Sequence, residues 1–76
     1  MSLEAKVRNI VIGVVHRIRP DSTALEAASQ MVEKNVGCLV VAGREGAIGM
    51  ITERDILGKV TAAHIDPGKV NVSHIM

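Results

Sequence analysis

The chain has no Phe, Trp or Tyr, one cysteine and two prolines among its 76 residues. Each scarcity excludes something. Without aromatic rings there is no stacking platform of the kind that single-stranded nucleic acids need. One cysteine, Cys38, permits neither an internal disulfide nor a cysteine-based metal cluster. Charge is nearly balanced, nine basic against eight acidic side chains for a net +1, so nothing in the electrostatics favours a polyanion as partner. No apolar run reaches the length of a membrane span and no signal-peptide pattern is present, which sets the expectation of a cytoplasmic protein. His16, His64 and His74 lie at no metal-ligand spacing, and no Ser-His-Asp or Cys-His arrangement is legible, so neither a metal site nor an enzyme is expected.

What is present is aliphatic. Hydrophobic residues make up 47% of the chain, all of them Val, Ile, Leu, Ala, Met and the one Cys, which suits a single small, close-packed α/β domain. Val14-Val15-His16-Arg17-Ile18 reads as a short strand, ended by Arg19-Pro20 because proline cannot continue a central ladder. Thr23 and Glu26 form a capping-box pattern, and Ala24, Leu25, Ala27, Ala28, Met31 and Val32 supply the apolar face of a helix behind it. Asn35 to Gly37 stops that helix. Cys38 to Ala42 and Ala47 to Ile51 are apolar runs joined by the turn Gly43-Arg44-Glu45-Gly46, a hairpin signal, with Met50, like Met31, expected in the core. A second helix is expected from Thr52 to Ala63, burying Ile56, Leu57 and Val60, and residues 64–69 read as a turn or linker around Asp66-Pro67-Gly68.

The predicted fold is therefore α/β of the α+β kind, a β-α-β-β-α unit. Its three-stranded mixed sheet has a parallel first pair, an antiparallel hairpin and two helices on one face. The later strands carry apolar side chains toward both faces, and a chain this short cannot cover the second face, so a partner unit is expected. The ends add to this. Val7-Arg8-Asn9-Ile10-Val11 and Val72-Ser73-His74-Ile75-Met76 share the pattern Val-x-x-Ile-apolar, as if the unit (core about 7–63) were starting again over 64–76.

The segment with most chemistry is Gly49-Met50-Ile51-Thr52-Glu53-Arg54-Asp55, a strand running into a helix. Its first turn presents a hydroxyl, a guanidinium and a carboxylate together. A ribose-phosphate can use all three, the carboxylate accepting from sugar hydroxyls while the guanidinium and helix N-terminus attract phosphate. The same Thr52 and Asp55 also fit an ordinary capping box. Both readings stand at this point.

The ordered signatures Arg19-Pro20-Asp21-Ser22-Thr23 with Glu26-Ala27-Ala28 and Met31, Val36-Gly37-Cys38-Leu39-Val40-Val41, and Gly49 to Leu57 resemble the CBS domain, the regulatory unit named after cystathionine β-synthase. The resemblance implies the β-α-β-β-α fold and function in pairs, here a homodimer or a tandem doublet. It also implies clefts between units for an adenosine-containing ligand, whether AMP, ADP, ATP or S-adenosylmethionine, as a regulatory ligand and not a required cofactor. By that resemblance Asp55 would take the ribose, Thr52 the phosphate or ribose and Arg54 the phosphate. Val36, Gly37 and Cys38 would line one side of the adenine slot, and Val11, Val15 and His16 the other. The alternative is a ligand-free oligomerisation or protein-interaction module with a vestigial cleft. Neither reading involves nucleic acid or a membrane.

Overall fold

The computed structural model describes residues 15–76. Three strands lie side by side in chain order: β1 (Arg17–Ile18), β2 (Cys38–Gly43) and β3 (Gly46–Thr52). β1 pairs with β2 in parallel, Arg17 opposite Val40, and β2 pairs with β3 antiparallel, Leu39 opposite Ile51. This is the mixed sheet expected from the sequence. The hairpin closes at Gly46, whose φ of 114° only glycine adopts without strain.

Helix α1 (Ala24–Lys34) begins at the capping box read from the sequence. Thr23 Oγ1 accepts from the Glu26 amide at 3.1 Å, and Glu26 Oε1 accepts from the Thr23 amide at 3.3 Å. It ends at Asn35, which takes a left-handed φ of 56° and donates its amide back to Met31 and Val32, as a C-terminal cap does. Gln30 ties the helix to β1 by donating to the Arg17 carbonyl at 2.9 Å.

The second helix differs from expectation. Helix α2 (Glu53–Ile56) passes at once into a π turn over Leu57–Thr61, where the Ala62 amide bonds to Leu57 O at 2.8 Å. The Ile65 amide makes the same five-residue step to Val60 O at 2.9 Å. A wider turn invalidates a 3.6-residue count of faces. Val60 is buried and Ile56 half-buried, but Leu57, expected inside, is 62% exposed.

The core is one cluster between helices and sheet: Ile18, Ala24, Ala27, Met31, Val36, Leu39, Val41, Ile51 and Val60, joined by Val72 and Ile75. Burial alternates along β2, Leu39 and Val41 inward, so only one side of the sheet meets the helices. On the other side Met50, expected in the core, is 52% exposed beside half-buried Val40. Helix α1 buries a narrower stripe than expected. Ala24, Ala27 and Met31 are inside, while Leu25 and Val32 face solvent.

Residues 70–76 pack on this unit. The Ala24 amide donates to Val70 O at 2.9 Å, the Val72 amide to Ser22 O at 2.8 Å and the Ser73 amide to Pro20 O at 3.1 Å. A short 3-10 turn, Val72–His74, places Val72 and Ile75 in the core. A Cβ on Gly49 would lie 3.2 Å from Met76 Sδ, so this close approach is one physical reason for glycine there.

Candidate functional site

The candidate residues come from three chain segments, which the sheet topology gathers at one end. β1 and β2 run in the same direction, so the residues just before β1 lie beside the start of β2. The Val40 amide donates to His16 O at 2.9 Å, and Val15 and His16 sit there, exposed and half-buried respectively. β3 runs oppositely, so its last residue, Thr52, pairs with the first of β2, Cys38. The Glu53 amide then donates to Gly37 O at 2.9 Å, fastening the start of α2 to the chain that leads into β2. Val15, His16, Gly37, Cys38, Thr52 and Asp55 thus share one rim.

Thr52 is the N-cap of α2 and Asp55 its third residue, and the capping box is complete. Asp55 Oδ2 accepts from the Thr52 amide at 2.9 Å and from Thr52 Oγ1 at 3.0 Å, while Thr52 Oγ1 accepts from the Asp55 amide at 3.2 Å. A carboxylate oxygen has about two acceptor positions, so Oδ2 is fully used. The other oxygen, Oδ1, stands 3.6 Å from Lys59 Nζ in a half-buried setting. A ligand hydroxyl therefore has one oxygen of Asp55 to address, not the two that bidentate diol binding requires. Arg54, between them in sequence, is exposed.

Two of the adenine-slot residues stand apart. Val36 is 4% exposed and belongs to the core, so it supports Gly37 from below without presenting its side chain. Val11 lies outside the described residues. Cys38 is a half-buried free thiol, and Gly37 beside it is half-buried, carries no side chain and gives its carbonyl to the Glu53 amide. At the opposite end of β1 and β2 an open groove of about 390 Å³ borders Arg17, Arg19 and Gly43. Arg19 is already matched there by Asp21, at 3.0 Å.

Lys59 is the residue that sequence reading missed. Its ammonium also donates to the Ile75 carbonyl at 3.1 Å. The available signal was the acid-to-base spacing of four residues from Asp55, which puts both on one helical face.

No helix among the described residues is long and apolar enough to cross a membrane. Residues 7–62 match the CBS domain family. The chain is 36% identical over 72 residues to the CBS domain-containing protein YhcV of Bacillus subtilis, covering 95% of this chain and 51% of that protein. It spans from 11% to 51% of the length of the curated relatives it matches. Among solved structures, a cystathionine β-synthase domain protein fused to a Zn-ribbon-like domain superposes with a TM-score of 0.78 at 34% identity, covering 82% of this chain and 89% of that one. A CBS domain protein from Pyrobaculum aerophilum complexed with AMP shares the fold, with a TM-score of 0.72 at 23% identity over 80% of this chain and 47% of that one. The strand order, the two helices on one face and the ordered signatures agree with these likenesses, and the chain belongs to the CBS domain family.

Proposed function

We propose that this chain is a non-enzymatic regulatory unit that pairs with a second CBS unit and takes an adenosine-containing ligand at the shared rim. The ligand class is AMP, ADP, ATP or S-adenosylmethionine. In this reading Asp55 Oδ1 accepts from a ribose hydroxyl, Thr52 Oγ1, whose proton is given to Asp55, accepts from the ribose as well, Arg54 meets phosphate, and the base lies against Gly37 and Cys38 with Val15 and His16 closing the slot. The carrying observation is the half-buried Asp55 carboxylate, one oxygen committed to the cap and the other facing Lys59, on the same rim as Gly37, which has no side chain. The AMP complex of the Pyrobaculum relative supports the ligand class. Pairing is supported by the open sheet face, where Ile48 and Met50 are each more than half exposed. Ligand between units would favour one relative orientation and so bias an attached effector, because only differential binding shifts such an equilibrium.

Isothermal titration of AMP, ATP and S-adenosylmethionine into wild type and Asp55→Ala tests this. Binding weakened by about 1.5–3 kcal/mol in the variant is expected, the worth of a charge-assisted hydrogen bond. Absence of heat and of a thermal shift with all three ligands favours a second reading, an oligomerisation module. The observation behind that reading is that the capping box of α2 accounts for Thr52 and half of Asp55 without any ligand.

A further inference from the structure

Lys59 contacts two things that the sequence keeps far apart. Its Nζ is 3.6 Å from Asp55 Oδ1 and 3.1 Å from the carbonyl oxygen of Ile75, sixteen residues away. We infer that Lys59 is a positioning residue for Asp55, and that through it the candidate ligand site and the 70–76 segment share one support.

The geometry carries this in three steps. Oδ2 of Asp55 is held by the two Thr52 donors, so Lys59 is what faces the remaining oxygen. The Ile75 carbonyl is a fixed anchor. Ile75 and Val72 are buried, and the Ile75 and Met76 amides both bond to Val72 O at 3.0 Å. An ammonium has three donors, so two contacts leave one direction open. A sugar hydroxyl both donates and accepts, so one hydroxyl at this place can donate to Oδ1 and accept from Lys59. Ligand bound in that way immobilises Lys59, and by linkage a firmer 70–76 segment raises affinity by the same factor.

The ligand half of this inference rests on the function proposed above, and the coupling half does not. The experiment separates them by measuring amide exchange at Ile75 and Met76 by NMR, first without ligand, in wild type, Asp55→Asn, Lys59→Met and Lys59→Arg. Asparagine retains an oxygen for the Thr52 donors, removes the charge and turns an NH2 donor in place of an acceptor oxygen toward Lys59. Asp55→Asn and Lys59→Met are each expected to speed exchange at both amides roughly two- to five-fold, the scale of a partly exposed ion pair. The Ala27 and Met31 amides of α1 should keep their wild-type rates, and Lys59→Arg should restore most of the protection. Unchanged exchange at Ile75 and Met76 in Asp55→Asn overturns the coupling, whether or not Lys59→Met folds. With AMP added, slower exchange at the same two amides in wild type, reduced in Lys59→Met and recovered in Lys59→Arg, supports the ligand half. If AMP binds wild type without changing these amides, the ligand half is overturned. If AMP does not bind wild type at all, the proposed site fails while the ligand-free comparison still decides the coupling.

Discussion

Asp55 shows how much one carboxylate can be asked to do. Its two oxygens have separate tasks, one closing a helix cap and one facing a lysine, so capping and the proposed ligand binding do not compete for the same atom. Asp21 is a simpler case at the opposite end of the sheet. The Arg19 guanidinium donates to both its oxygens, at 3.0 and 3.3 Å, and this hydrogen bonding holds the Asp21 carboxyl below the usual 3.8. A depressed folded-state value stabilises the protein above the ordinary carboxylate range, and that contribution disappears as pH falls through the folded value. An NMR titration of the Asp21 carboxyl carbon should therefore give a midpoint below 3.8 that moves back up in Arg19→Ala. Because the pair is exposed, little change in global stability should accompany it.

At the scale of elements, the two helices begin alike and continue differently. Both start from a threonine N-cap answered by an acidic third residue, Thr23 with Glu26 and Thr52 with Asp55. Thr23→Ala and Thr52→Ala should each cost about 1 kcal/mol in urea denaturation, the usual worth of a cap. Only Thr52→Ala should also weaken AMP binding, and equal AMP affinity in the two variants would make the Thr52 box purely structural. Beyond the caps, α1 keeps the 3.6-residue period, whereas α2 widens into the π turn that exposes Leu57 and buries Val60. Both caps were legible because they depend on residues three apart. The π turn was not, because Leu57-Gly58-Lys59-Val60 satisfies an α-helical pattern equally well.

On the scale of the whole molecule, the described residues close the unit on its helical side and leave Ile48 and Met50 exposed on the other. Residues 70–76 close part of it: Val72 is fully buried, Ile75 is 4% exposed, and Thr23 and Asn71 form an antiparallel bridge. Ile75→Ala should lower stability by about 2 kcal/mol, near the low end for a buried isoleucine because a short 3-10 segment can relax into the space. Met50→Ala, on the open face, should stay within about 0.5 kcal/mol for the monomer. Chemical denaturation at low protein concentration measures both. Equal effects would mean that the tail does not contribute to the core.

The sequence by itself determined the three strands, the first helix, the start of the second, their order and the mixed pairing. Caps, the Gly43 to Gly46 turn and the proline after Arg19 act over a few residues, and the connections then leave few topologies. It also determined that Thr52 and Asp55 share a helical first turn. Tertiary structure alone decided which of the apolar side chains stay outside. Leu25, Val32, Met50 and Leu57 are as apolar as residues in the core; the single-sided packing of helices on sheet leaves the first three out, and the π turn leaves out Leu57. Tertiary structure also brought Val15 and His16, Gly37 and Cys38, and Thr52 and Asp55 to one rim, and set the Ile75 carbonyl beside Lys59. Those contacts join residues far apart in the chain, and their free energy comes from burying a common core, which no local pattern encodes.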